Sequence, residues 1–274
     1  MRVALVTGAN GGFGKLIVME LLKANYFVVA AMRTETNKDE LLEMVKQLDL
    51  EERIFVAEMD VTKEEQVKQA SQWVQNRFNK LDVLINNAGY SQGGFTTDLT
   101  ILDWQKQYDT NVLGVIQTTS NFLPLLKNSK KGQIINLSSV SGYFGFPGMG
   151  PYCSSKFALE GYSESLRLEL ISEGIYVSLI EPASFKTGIW EKGLEIGAVI
   201  HDDTLKKNAL AFAKQSFQNA GDPLEVAKVI VKVCKSNRPK FRYRVGKGAN
   251  SLWFIKKFVP WSIIERTVTK KLSK

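Results

Sequence analysis

The sequence predicts an α/β fold: one domain over 1–274, built on a doubly wound parallel sheet of about seven strands with helices on both faces. Three observations predict it. Short apolar runs alternate with helical stretches, the pattern of strands joined by crossover helices. The first run passes through a glycine-rich turn directly into a helix. The chain of 274 residues, 44% hydrophobic and 23% charged, has the composition of a soluble globular protein with one large core.

The first strand is expected over 3–7, and the following helix over 15–24. Between them lies Gly8-Ala9-Asn10-Gly11-Gly12-Phe13-Gly14. A strand, a glycine turn and a helix N-terminus form a site for a pyrophosphate, because glycines let backbone N–H groups approach the anion and the helix dipole favours its charge. A Walker-type loop fits poorly, since it needs glycine at Ala9 and Ser or Thr at Leu16. Further strands are expected over 26–32, 53–58, 81–85, 133–137, 175–180 and 242–245. In such a sheet, ligands bind beyond the carboxyl ends of the strands, and the polar motifs of this chain fall there.

Tyr152 and Lys156 are spaced one helical turn apart on one face. A phenol ordinarily ionises near pH 10, and a nearby cation favours the phenolate. Lys156 is therefore expected to lower the Tyr152 pKa and make it an acid/base for an alcohol or carbonyl. Ser139, after the run 133–137, could hold the reacting oxygen by a hydrogen bond.

From Arg2 to about Gly246 the chain resembles the short-chain dehydrogenase/reductase family in the order and spacing of its motifs. The residues that carry the resemblance are Thr7-Gly8 with Gly12 and Gly14, the segment Asn86-Asn87-Ala88-Gly89, Asn111, the set Ser139, Tyr152 and Lys156, and Pro182 with Thr187. The resemblance implies a Rossmann fold and a catalytic tetrad of Asn111, Ser139, Tyr152 and Lys156. It further implies a nicotinamide cofactor held by Gly8, Asn10, Gly12, Phe13, Gly14, Asn87, Ala88, Gly89, Tyr152, Lys156, Pro182 and Thr187. Asp60 and Val61 would meet the adenine, Lys156 the ribose hydroxyls, and Asn111 would position a water. Ala183 stands where the family carries a glycine, which matters only if that position needs positive φ.

Cofactor choice turns on Arg33. It follows Met32 at the end of the second strand, where an acidic residue would bind the 2′-hydroxyl of NAD. A guanidinium suits the 2′-phosphate of NADP, so NADP(H) is favoured and NAD(H) is the other reading. The segment 141–149 is apolar and aromatic; Phe185 lies within the Pro182–Thr187 stretch, and Ile189 and Trp190 follow it. Ser139, Tyr143, Phe146, Phe185 and Trp190 are the candidate substrate contacts. The Gly12-Phe13-Gly14 turn and the 181–187 stretch look like the retinol and 17β-hydroxysteroid dehydrogenase branch. That likeness implies a hydrophobic alcohol, ketone or aldehyde as substrate, a lid over about 188–220 and a homo-oligomer, dimer or tetramer.

Charge is distributed unevenly. Residues 235–274 hold 12 basic residues and one acid, a local +11, while 1–234 hold 24 and 27, or −3; the chain's +8 thus comes from this end. The extension over about 247–274 interleaves lysines with Trp253, Phe254, Phe258 and Trp261. Peripheral contact with an anionic membrane is one reading of it, and packing on the domain or a partner subunit is the other. No nucleic-acid recognition motif accompanies the charge, so a nucleic-acid partner is not expected. Cys153, Cys234 and the single histidine, His201, give neither a disulfide framework nor metal spacing. A cytoplasmic location follows by default. A nucleotide-binding sensor or scaffold that kept the fold and lost turnover is the alternative from another functional class.

Overall fold

The computed structural model describes residues 2–34, 38–187 and 204–273. The strands are β1 (Arg2–Thr7), β2 (Tyr26–Met32), β3 (Ile54–Glu58), β4 (Val83–Asn86), β5 (Gln133–Leu137), β6 (Tyr176–Pro182) and β7 (Arg242–Val245). They form one sheet in the order β3-β2-β1-β4-β5-β6-β7, every neighbouring pair parallel. Such strands are buried on both faces, so they read as near-continuous apolar runs. In β1, Ala4 and Val6 join the core on one face, while Val3 and Leu5 join the core on the other.

The first core is covered by α1 (Gly12–Lys23), α2 (Lys38–Lys46) and α8 (Leu224–Lys235), through side chains such as Leu21, Leu41 and Ile230. The second is covered by α3 (Glu64–Phe78), α5 (Gly114–Lys127) and α6 (Gly150–Leu170), through Val67, Phe122 and Leu166. Helix α4 (Ile101–Tyr108) runs into α5 through a π turn at Asp109–Leu113. The remaining described helices are α7 (Thr204–Gln218), α9 (Ala249–Phe258) and α10 (Trp261–Leu272). Pro260 separates the last two, and Val259 before it is extended (φ −90°, ψ 128°), as a residue preceding proline prefers.

Chain order reverses between β1 and β4, which leaves a crevice at their carboxyl ends. Buried amides hold those ends in place. Asn86 Nδ2 donates to Asn136 Oδ1 (2.8 Å), and Asn136 Nδ2 donates to Ser163 Oγ on α6 (2.8 Å). Of the expected lid, residues 188–203 lie outside the described residues, and with them Ile189, Trp190 and His201.

Candidate active site

The glycine turn is built by close approach rather than by side chains. Gly8 has φ +62°, and a Cβ there would lie 2.9 Å from Ala88 Cα. A Cβ on Gly14 would run into the Gly8 carbonyl and sit 2.9 Å from Ala9 Cα. One on Gly12 would meet Thr187 Cβ at 3.1 Å. Thr7 Oγ1 accepts from the backbone N–H groups of Asn87 (3.0 Å) and Ala88 (2.9 Å), and Asn87 Nδ2 donates to the Thr7 (2.8 Å) and Gly8 (3.0 Å) carbonyls. The segments 7–14, 87–89 and 182–187 thus meet at the switch point. No side chain caps Gly11 at the start of α1, and its first turn carries no acid. A cradle of this shape, with a free positive dipole end, fits the pyrophosphate of a dinucleotide.

The predicted cofactor residues around it are placed as follows. Asn10 is half-buried within the turn, and Phe13 stands edge-on to Phe185, ring centroids 5.9 Å apart. A Cβ on Gly89 would press on Asn111 Oδ1 at 3.0 Å. Arg33 is exposed just past β2, and Met32 is fully buried. One Asp60 oxygen is taken by its own turn, accepting from Thr62 N (2.9 Å) and Thr62 Oγ1 (2.8 Å), while buried Val61 packs on Gly114.

Tyr152 and Lys156 face the same crevice from α6, both buried, with Lys156 Nζ 5.7 Å from the centre of the phenol ring. Lys156 Nζ donates to the Leu137 carbonyl at the end of β5 (2.7 Å), which fixes where the ammonium sits. Ser139 begins the short turn Val140–Gly142; its Oγ accepts from Ser141 N (3.1 Å), and Ser139 lines the same cavity as the Tyr152 phenol. The expected net lowering of the phenol pKa by Lys156 needs correction, because burial outweighs it. Burial pushes Tyr152 up to about 12, with the neighbouring Ser139 pulling the other way, and burial brings Lys156 down to about 8. Desolvation penalises both charged forms, and at this separation it outweighs their attraction.

Asn111 lies in the π turn, a deformation frequent at functional sites. Its amide is engaged on Tyr90, accepting from the N–H (3.2 Å) and donating to the carbonyl (3.1 Å). It also donates to Ser155 Oγ (3.2 Å), which itself donates to the Tyr152 carbonyl (2.8 Å). Asn111 therefore ties the segment after β4 to the helix that carries Tyr152.

A cavity of about 40 Å³ opens beside the phenol. Predicted residues Phe13, Ser139, Tyr152, Pro182, Phe185 and Thr187 line it, joined by Ser91, Ser138, Met149 and Ala183. Tyr143 and Phe146 do not. The Tyr143 hydroxyl donates to the Ala249 carbonyl (2.9 Å), and Phe146 packs on Phe144 with centroids 5.2 Å apart. Phe185 is 1% exposed, and a Cβ on Gly221 or Gly246 would lie within 3.0 Å of its ring, so it anchors the loop as much as it lines the cavity. Ala183 is absent from the positive-φ residues, so its methyl group causes no strain. Sequence reasoning missed Ser91 and Ser138; their signal was adjacency to the Asn86–Gly89 segment and to Ser139.

The family model described as short chain dehydrogenase matches residues 2–195. The chain is 38% identical to "Uncharacterized oxidoreductase YusZ" of Bacillus subtilis (strain 168), over 99% of this chain and 98% of that one. It is 33% identical to "Retinol dehydrogenase 8" of Bos taurus, over 94% and 86%. Among solved structures it resembles a short chain dehydrogenase/reductase from Burkholderia phymatum in complex with NAD (TM-score 0.79, 25% identity, 97% and 95% covered). It also resembles ElxO with NADP bound (TM-score 0.78, 28% identity, 91% and 99% covered).

Proposed function

The chain belongs to the short-chain dehydrogenase/reductase family, and from that premise we propose that it interconverts a hydrophobic alcohol and its ketone or aldehyde with NADP(H), Tyr152 serving as acid/base. One observation carries the reading. The Tyr152 phenol, one turn from Lys156, lines one cavity together with Ser139 and with Phe13, Pro182 and Thr187 from the nucleotide crevice.

The bound nicotinamide would supply or accept the hydride; Gly8, Gly12, Gly14 and the start of α1 would hold its pyrophosphate. A phenol pushed up to about 12 is protonated at neutral pH, so Tyr152 is poised to give its proton to a carbonyl oxygen. Ser139 holds that oxygen from the other side. Lys156 stabilises the phenolate left behind, because its attraction grows once the phenol has given up its proton. Asn111, through Ser155 and Tyr90, positions the helix and the strand end around them. Arg33, exposed beyond a buried Met32, supports the 2′-phosphate of NADP, and the relatives with NAD and NADP bound leave both nucleotides within the fold's reach. The apolar Phe13, Met149 and Phe185, and the likeness to a retinol dehydrogenase, support a hydrophobic substrate. The same reading takes the chain as one nucleotide-binding domain, acting in the cytoplasm as a dimer or tetramer.

The test is absorbance at 340 nm with NADPH and with NADH against hydrophobic ketones, aldehydes and alcohols. NADPH consumption that is lost in Tyr152→Phe, with nucleotide binding retained, is the expected result. Tight NADPH binding without turnover of any member would replace this reading with a silent nucleotide sensor.

A further inference from the structure

The C-terminal helices carry an apolar surface that the domain does not cover. Phe254, Phe258 and Trp261 are each 57% exposed, and Ile255 and Ile263 stand beside them in α9 and α10. Cations are threaded through this surface. Lys256 Nζ lies 4.7 Å from the Trp261 ring centre and Lys257 Nζ 4.9 Å from that of Trp253, with Arg266, Lys270 and Lys271 farther along. Residues 247–274 hold seven basic residues against one acid, Glu265. Aromatic rings flanked by lysines match the interfacial layer of a bilayer, where rings sit at headgroup depth and ammonium groups reach lipid phosphates.

We propose that α9 and α10 dock this chain on an anionic lipid surface, lying in the headgroup layer without crossing it. Ten and twelve residues make helices of about 15 and 18 Å, half the thickness of a hydrocarbon core. Among the described residues no helix is long and apolar enough to span. A second copy of the chain is the poorer occupant, because a two-fold contact through this face would set each cation cluster against its equivalent.

The docking face also adjoins the rim of the candidate active site. Tyr143, in the loop after Ser139, donates to the Ala249 carbonyl at the start of α9 (2.9 Å). Helix α10 rests on α7, with Asn208 Nδ2 donating to the Leu272 carbonyl (2.8 Å) and Lys271 Nζ 4.3 Å from the Phe212 ring centre. From α7, Lys206 pairs with Asp98 (2.6 Å) and lies 5.6 Å from the centre of the Phe95 ring. A Cβ on Gly148 would touch that ring at 3.4 Å, and Gly148 precedes Met149 of the cavity. Docked on this face, the protein would meet its substrate at the membrane surface. This last step rests on the proposed activity toward hydrophobic alcohols and carbonyls; the docking itself does not.

Co-sedimentation of the full chain with phosphatidylcholine vesicles, with and without 30% phosphatidylserine, tests the docking. Binding at least tenfold stronger to the anionic vesicles, falling with added salt, is expected. Lys256→Glu with Lys257→Glu, and separately Phe258→Asp with Trp261→Asp, should each lower it tenfold or more while NADPH binding is kept. Equal or absent binding to both vesicle types overturns the proposal. So does a mass that drops from oligomer to monomer in Phe258→Asp with Trp261→Asp while the wild type ignores vesicles, which would assign the face to a second copy. Turnover of a vesicle-borne ketone should fall in these variants and that of a water-soluble ketone should not. Vesicle binding with no turnover of either ketone would sink the proposed activity and leave the docking standing.

Discussion

The nucleotide turn and the C-terminal helical pair solve opposite problems of presentation. At Gly8, Gly12 and Gly14 the chain removes every Cβ so that backbone N–H groups can approach an anion, and seals the turn with Thr7 and Asn87. In α9 and α10 it keeps large rings and long cations and leaves them in solvent. The first region is specified by shape to a fraction of an ångström; the second is specified by polarity and charge. Substitutions should therefore act on folding and chemistry at the switch point, and on surface attachment alone at the C-terminus.

The largest effect belongs to the buried site. Tyr152→Phe should lower turnover by about 10³-fold while nucleotide quenching of fluorescence persists, the scale of a lost general acid. Near-normal turnover would remove Tyr152 from the chemistry. Next, Gly14→Val should cost about 3 kcal/mol or more in denaturant unfolding, because its side chain must displace the Gly8 and Ala9 backbone. Arg33→Ala should raise KM for NADPH by about ten- to a hundredfold and leave that for NADH in place, the loss of a charge-assisted contact. A parallel rise for both nucleotides would mean that Arg33 does not read the phosphate.

Lys156 sharpens the contrast through pH. Its folded pKa, about 8, lies below the unfolded value of 10.5, so between these limits the unfolded chain binds more protons. Lys156 therefore contributes a rise in stability of the nucleotide-free protein with pH in that window, read as the difference between wild type and Lys156→Met in denaturant unfolding. Tyr152, Cys153 and Cys234 have the opposite sign, their folded values raised by burial above 10, 9 and 9, so the comparison is cleanest between pH 8 and 9. The smallest effect is expected at the other region. Phe258→Asp with Trp261→Asp should change stability by no more than about 0.5 kcal/mol, as exposed positions do. A larger loss would show that the face packs against something in the folded chain.

The strands were legible because each is an apolar run buried on both faces, and the runs at 26–32, 133–137 and 242–245 match β2, β5 and β7 at both ends. The glycine turn was legible because the spacing itself is the structure. Less could be read from Asn86 and Asn87, neighbours in one motif. The first turns into the core to meet Asn136, and the second turns out to hold Gly8, a division that strand pleating makes and composition does not show. The Tyr152 pKa escapes the sequence for a related reason. Sequence spacing reveals the cation one turn away but not how dry the crevice is, and burial decides the sign. Aromatic content alone makes pocket walls of Tyr143 and Phe146, whereas Tyr143 is held by a helix about a hundred residues farther along.

The position of β1 has a consequence for how this protein is made. Of the seven strands of this sheet, β1 is synthesised before the rest and becomes a central strand, with β2 on one side and β4 on the other. Its second edge stays unpaired until Val83–Asn86 has been synthesised, about 80 residues later, or ~4–16 s at the usual 5–20 residues per second. During that interval Ala4, Leu5 and Val6 present an apolar β edge able to pair with another nascent chain. Slowing translation before codon 83 should therefore lower the soluble yield more than an equal pause placed after codon 137.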